Sequence, residues 1–368
     1  MKIGILGTRG IPNAYGGFEQ FAQYLAQGLV KKGHEVYVYN SSNHPYQEKE
    51  WEDIYLIHCK DLEDKIGTAG QFIYDYNCLR DSRKRGFDIL LQLGYTSNSI
   101  WYWLWPGAPT VNVVNMDGLE WKRSKYSKLT RRFLQWAEKK AARHAAVLVA
   151  DSPGIQDYLL KKYRKSSIYI PYGAEIPAGN SDAVLSKWAV ASGQYFLLIA
   201  RMEPENNIEM IIQGYLASGK PYPLLVVGNT KNAFGKYLLK KYPHEKIRFT
   251  GAIYDQPAVN NLRYYSARYF HGHSVGGTNP SLLEAMGCQC NIAAHDNVFN
   301  RAVLTDCADY FSNWEDITRI IDELPDFSTV SQRKERNLEK IKRLYNWETI
   351  INEYENVFLN AGVPSATH

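Results

Sequence analysis

Apolar residues along this chain alternate between short continuous runs and stretches with a helical period. Ile3, Ile5 and Leu6 mark a buried strand over residues 1–7. Phe18, Phe21, Ala22, Leu25 and Leu29 then share one helix face, and Gly33 ends that helix. Residues 36–39 form the next strand, and further strands are predicted at 89–93, 111–115, 147–150 and 168–170, with a helix over 129–146. Residues 171–180, Pro-Tyr-Gly-Ala-Glu-Ile-Pro-Ala-Gly-Asn, read as a linker. Beyond it the pattern restarts, with strands at 195–200, 224–228, 247–250, 268–271, 290–293 and 310–311 and a helix at 207–217. Most of 330–360 is helical, and the tail after Gly362 is expected to fray. Repeated β/α units on both sides of a linker predict an α/β chain of two doubly wound, Rossmann-like parallel-sheet domains.

A chain of 368 residues, 45% apolar, is long enough for two such cores. Its net charge of +5 is modest and gives no argument for nucleic acid. The five cysteines, Cys59, Cys78, Cys288, Cys290 and Cys307, fit neither a zinc spacing nor a disulfide framework, so a reducing, cytoplasmic setting is expected. The opening strand is too short for a signal peptide, and no run approaches the ~20 apolar residues of a spanning helix. The richest apolar stretch, Ile100 to Trp105, stops at Pro106-Gly107 and reads as core or as a second contact with a membrane.

Chemistry concentrates in two glycine-rich loops. The first runs from Thr8 to Gly17 between strand and helix, a βαβ nucleotide-binding arrangement without the dinucleotide fingerprint. Gly16-Gly17 lets backbone N–H groups approach an anion closely. Glu19, one turn in, reads as a complement to the helix dipole. The second loop, Gly276-Gly277-Thr278-Asn279, leads into Pro280-Ser281-Leu282-Leu283-Glu284. A helix start presents N–H groups to phosphate, and Glu284 can accept hydrogen bonds from sugar hydroxyls. Arg201 follows directly after a strand, and its planar fork suits a diphosphate. Phosphate donors beside a polyol acceptor suit a nucleotide sugar.

These residues together resemble the family-4 retaining glycosyltransferases of the GT-B fold. The likeness covers nearly the whole chain: Gly16, Gly17 and Glu19, the Pro171-Tyr172-Gly173 turn, the Arg201 loop, Pro280 with Glu284 and Ala285, and the C-terminal helix with Trp347. Within the family the chain is most similar to bacterial rhamnosyltransferases of polysaccharide assembly, which share the Gly-Thr-Arg-Gly-Ile-Pro opening and the run from Glu203 to Glu209. The resemblance implies two facing domains, with residues 1–174 on the acceptor side and 175–340 binding the nucleotide sugar. It implies that 341–368 carries a helix crossing back to the N-terminal domain, and a tail. The implied donor-binding residues are Gly16, Gly17, Arg201, Asn206, Gly277, Thr278, Asn279, Ser281, Leu282 and Glu284. Asp117, His271 and His273 are the catalytic candidates; a turn-forming Asp before Gly118 and core or loop histidines are the alternative readings.

Two departures from the family pattern stand out. The Lys expected five or six residues after Arg201 is replaced by Asn206 and Asn207, and the first of two glutamates eight apart is Gly276. The implied reaction moves a sugar, L-rhamnose from dTDP-rhamnose, to a glycan or lipid-linked acceptor, with retention and without metal or other cofactor. No Asp-x-Asp pair is present to hold a diphosphate through a cation. The basic stretch Lys122–Arg143, interleaved with Tyr126, Phe133 and Trp136, suits an anionic membrane surface at the inner leaflet or a solvated helix face. A nucleotide-sugar epimerase of the same fold and a non-catalytic nucleotide-sugar-binding protein stay open as rivals.

Overall fold

The computed structural model describes residues 1–362 apart from Tyr15, Ser124 and Leu324, so the tail expected to fray lies outside the described residues. The chain divides into two compact units. The first comprises Met1–Trp121, Tyr126–Tyr172 and the segment from Trp347 onward; the second comprises Lys122–Lys125 and Gly173–Asn346.

The first unit runs β1 (Lys2–Leu6), α1 (Gly17–Lys31), β2 (Glu35–Ser41), β3 (Glu50–Trp51), β4 (Ile54–Cys59), α2 (Glu63–Ile66), α3 (Ala69–Ser82), β5 (Ile89–Leu93), β6 (Val111–Asn115), α4 (Lys128–His144), β7 (Val147–Ala150), α5 (Pro153–Tyr163) and β8 (Ile168–Tyr169). Its eight strands are ordered β3-β4-β2-β1-β5-β6-β7-β8. All pairings are parallel except β3 with β4. Central strands covered on both faces favour apolar sequence, and β5, Ile-Leu-Leu-Gln-Leu, is buried at every position, with Gln92 hydrogen-bonded to Asn98 and Asn112.

The second unit follows with β9 (Phe196–Ile199), α6 (Ile208–Ser218), β10 (Leu224–Val227), α7 (Ala233–Lys241), β11 (Ile247–Gly251), α8 (Gln256–Tyr264), β12 (Arg268–His271), α9 (Pro280–Gly287), β13 (Ile292–His295), α10 (Val298–Leu304), β14 (Asp309–Phe311), α11 (Trp314–Asp322) and α12 (Phe327–Leu344). Its six-stranded sheet has the order β11-β10-β9-β12-β13-β14 and is parallel throughout. Phe196, Leu198, Val226 and Phe270 from the strands pack with Ile208, Ile211 and Ile212 of α6 and with Ile317 and Ile321 of α11.

The last helix, α13 (Trp347–Gly362), belongs to the first unit. Trp347 stacks on Tyr24 of α1 at 4.4 Å, and Phe21 meets Tyr354 at 5.3 Å. Glu355 pairs with Lys32 and His34, both at 2.8 Å. The stretch 330–360, expected to be mostly helical, comprises α12 and α13, separated at Tyr345-Asn346. The strand predicted at 290–293 starts two residues later, because Gln289 adopts a positive φ of 53° and Cys290 still belongs to the turn. β3 and β4 have no counterpart among the predicted strands: β3 is only Glu50–Trp51, and β4, with its run Ile54-Tyr55-Leu56-Ile57, is an addition to the sequence reading.

Candidate functional site

In the first unit the loop after β1 is pinned by side chains. Gly7 sits at φ +96°, where a Cβ would lie 2.2 Å from the Leu93 carbonyl oxygen, so only glycine fits. Glu19 is buried, and its Oε1 accepts from the Arg9 backbone N–H at 3.0 Å. It therefore fixes the loop as well as facing the helix dipole. Asn40 accepts from the Ile11 N–H at 3.1 Å and donates to the Ile11 carbonyl at 2.7 Å. Arg9 forks onto Glu63 at 2.9 and 2.7 Å. Gly16 is the N-cap of α1 and supplies no side-chain cap, so the first N–H groups after it remain available to an anion.

Asp117 follows β6 and is half-buried; its Oδ1 accepts from the Tyr172 hydroxyl at 3.3 Å. Burial, with Asp117 and Asp151 next in size, pushes the Tyr172 phenol well above its ordinary range, so it stays a donor to Asp117. Beneath this loop Glu138, 1% exposed, gathers the hydroxyls of Tyr158 and Tyr163, both at 2.6 Å, and Lys162 at 3.1 Å. Tyr95 donates to the Gly118 carbonyl at 3.2 Å and so holds the Asp117 loop from below.

In the second unit Arg201 leaves the carboxyl end of β9 and is exposed, with no side-chain partner among the described residues. Its loop is stitched internally. Asn206, expected to touch the donor, is buried and donates to the Arg201 carbonyl at 2.8 Å; it shapes the arginine loop instead. Gly272 passes so close that a Cβ would lie 2.0 Å from the Asn206 carbonyl oxygen, and Asn207 donates to the Gly272 carbonyl at 2.8 Å. Ser274 donates to the Glu205 carbonyl from its N–H at 3.1 Å and its hydroxyl at 2.7 Å. The strand-end loops of β9 and β12 thus form one surface. Arg123, counted above with the basic stretch, also lies in this unit, 3.6 Å from Glu205, and Lys125 lies 3.6 Å from Glu203.

The start of α9 is closed. Pro280 has no N–H; the Ser281 N–H donates to Asn279 Oδ1 at 3.0 Å. The Leu282 and Leu283 N–H groups reach the Asn279 carbonyl at 3.0 and 3.3 Å. The Ser281 hydroxyl is held by Arg263 at 3.1 Å and Tyr269 at 3.0 Å. Ser281 and Leu282 therefore do not offer the phosphate contacts expected of them. Thr278 and Leu282 are buried, and Gly276 and Gly277 are the more open part of the loop. Glu284, with its side chain 22% exposed, gives Oε2 to Arg263 at 2.6 Å.

The two histidines stack at 4.4 Å. His271 is fully enclosed with neither ring nitrogen hydrogen-bonded, so it does not reach a substrate as expected. Burial holds it well below its ordinary range, followed by the His273, Arg263 and His295 charges. Burial, then Arg201 and Arg123, push His273 down to about 3. A ring kept neutral to so low a pH is a poor proton acceptor. His271 lies enclosed against His273, and His273 itself is partly exposed. Arg263 and Arg123 carry charge that sequence reading missed; Arg263 lies 21 positions before Glu284 on an ordinary amphipathic helix, with no local motif to flag it.

The model of a domain of unknown function (DUF1972) matches residues 109–175. The chain is 22% identical over 372 residues to the O-antigen chain mannosyltransferase C of Escherichia coli, covering 94% of this chain and 95% of that one. A sucrose-phosphate synthase from Thermosynechococcus elongatus superposes with a TM-score of 0.81 at 15% identity, covering 98% of both chains. Anabaena Alr3699/HepE, solved with UDP and glucose, gives 0.75 at 15% identity over 98% of this chain and 100% of that one. The chain has the GT-B fold. Its two parallel-sheet units are those of GT-B glycosyltransferase structures, and the likeness to the solved structures speaks to architecture alone.

Proposed function

We propose that this GT-B protein is a glycosyltransferase of polysaccharide synthesis that moves a sugar from a nucleoside-diphosphate donor to a glycan or lipid-linked saccharide. The observation that carries this reading is Arg201: an exposed guanidinium without a protein partner, at the carboxyl end of a parallel strand where such folds bind ligands. The near full-length relation to an O-antigen mannosyltransferase supports the class of reaction. Anabaena Alr3699/HepE, solved with UDP and glucose, supports a nucleotide-sugar donor.

In this reading Arg201 and the Gly276-Gly277 backbone hold the diphosphate and stabilise the charge that grows as it leaves. Glu284 receives the ribose, and Asp117 takes the proton of the acceptor hydroxyl. The reaction is retaining and independent of metal. The donor sugar is L-rhamnose carried on dTDP; mannose is the second candidate, favoured by the E. coli relative. Both are hexoses of the manno configuration, differing in hand and in the 6-hydroxyl.

A lipid-linked acceptor is reached from an anionic membrane surface through α4, where Lys128, Arg132, Lys139 and Arg143 are exposed together with Leu129, Phe133 and Trp136. Trp103 is 56% exposed and packs on Trp101 and Tyr102, whereas Trp105 is buried. No helix among the described residues is long and apolar enough to cross a membrane. Gln at the four exposed α4 cations releases the protein from anionic vesicles; equal binding to neutral vesicles removes the membrane role.

Incubation with a panel of nucleotide sugars, with and without saccharide acceptors and in the presence of EDTA, tests the reaction. Release of nucleoside diphosphate only with acceptor, and undiminished by EDTA, is expected. Donor conversion without acceptor indicates an epimerase, and binding without turnover indicates a sugar-binding protein.

A further inference from the structure

Arg263 on α8 is one of the largest fully buried side chains, 2% exposed. Its Nη2 pairs with Glu284 Oε2 at 2.6 Å and donates to the Ser281 hydroxyl at 3.1 Å, while Nε and Nη1 find no hydrogen-bond partner among the described residues. The Ser281 hydroxyl is steadied in turn by Tyr269 at 3.0 Å. A guanidinium removed from water needs its counter-charge, so Glu284 cannot leave this contact without exposing an uncompensated buried cation. A glutamate one turn into a helix normally samples several rotamers. Here one oxygen is tied down, and the other, Oε1, has no partner among the described residues and is not enclosed.

We infer that Arg263 is a positioning residue: it locks Glu284 so that Oε1 stands ready for a single ribose hydroxyl, and thereby sets the site's selection for an intact ribose. The inference rests on the reading that Glu284 receives the ribose of the donor. A preset acceptor atom loses no rotamer freedom on binding, and a hydrogen bond to a carboxylate is among the stronger ones. A ligand lacking the hydroxyl leaves Oε1 desolvated and unpaired, which is what makes such a site discriminate.

The test compares dTDP with 3′-deoxy-dTDP, and UDP with 3′-deoxy-UDP, by calorimetry on the full-length protein. Wild type is expected to prefer the 3′-hydroxyl form by about ten- to a hundredfold. Arg263→Lys keeps the charge but is too short to bring its nitrogen to where Nη2 meets both Glu284 and Ser281, and should reduce that preference to within about threefold, leaving affinity for the 3′-deoxy ligand unchanged. Ser281→Ala, a milder change that keeps the ion pair, should give an intermediate preference and serves if Arg263→Lys does not fold. If the variants weaken both ligands equally and keep the wild-type ratio, Arg263 is a structural residue only and the inference falls. If wild type binds the diphosphates without preferring the hydroxyl form, the ribose reading of Glu284 fails first. If wild type binds none of the four, the donor reading itself is at fault.

Discussion

Two glycine-rich loops, Gly16-Gly17 ahead of α1 and Gly276-Gly277 ahead of α9, begin from similar sequence and end in different electrostatics. At α1 the N-cap is a glycine and no side chain closes the first turn. At α9 Asn279 caps Ser281 through its side chain and Leu282 and Leu283 through its carbonyl, and Pro280 has no N–H to offer. The first loop can serve an anion through backbone dipoles. The second has spent those dipoles on its own helix, and its unit carries guanidinium groups instead: Arg201 exposed, Arg123 beside Glu205, Arg263 beneath Glu284. A glycine pair before an apolar helix start therefore does not specify an anion site by itself; the cap residue decides.

The comparison can be broken from the second loop first. Glu284→Gln removes the counter-charge of a buried arginine, so it should destabilise the protein by about 2–4 kcal/mol, a fall of roughly 5–10 °C in melting temperature. An unchanged melting temperature means that the Arg263–Glu284 pair is not needed by the fold. Acid should weaken the same unit. A histidine neutral in the fold but protonated when unfolded leaves stability untouched above its unfolded pKa and costs it below. His273, held at about 3, thus loses stability between about pH 6.5 and 3, by about 1.4 kcal/mol per pH unit, or about 2 kcal/mol at pH 5. His271 adds in the same direction. His273→Gln should flatten part of this dependence in chemical denaturation from pH 7 to 5, and an unaltered slope contradicts the assignment.

The smallest effects exchange the two caps. Gly16 is extended, and a Cβ there meets only Glu19 Oε2, at an ordinary 3.7 Å, so Gly16→Ser should cap α1, add up to about 1 kcal/mol and weaken inorganic-phosphate binding there. Asn279→Ala should cost about 1 kcal/mol and uncover the Ser281 N–H. If Gly16→Ser leaves phosphate binding intact, the open start of α1 is not an anion site.

The parallel strands were legible because strands buried on both sheet faces are mostly apolar, as at 89–93, where Gln92 is the one polar residue, and at 195–200. The edge strand β3 was not, because two residues carry no period, although β4 beside it has the apolar run Ile54–Ile57. Arg201 and Glu284 could be found from their places after a strand and inside a helix start. Arg263 could not, since its role depends on α8 packing beside α9, and Arg123 was masked by the basic stretch around it. Asn206 and Ser281 look like ligands in sequence and prove to be internal braces, because polar side chains near a helix start serve the backbone as readily as a substrate.

The central claim is that an exposed guanidinium of the second unit holds the donor diphosphate, and Arg201→Ala tests it most directly. Calorimetric titration of wild type and variant with dTDP, UDP and the corresponding monophosphates reads it out. The account predicts a loss of about ten- to a hundredfold in diphosphate affinity and a smaller loss for the monophosphates, since a charge-assisted fork contributes about 1.5–3 kcal/mol. Equal diphosphate affinity for the two proteins would contradict it.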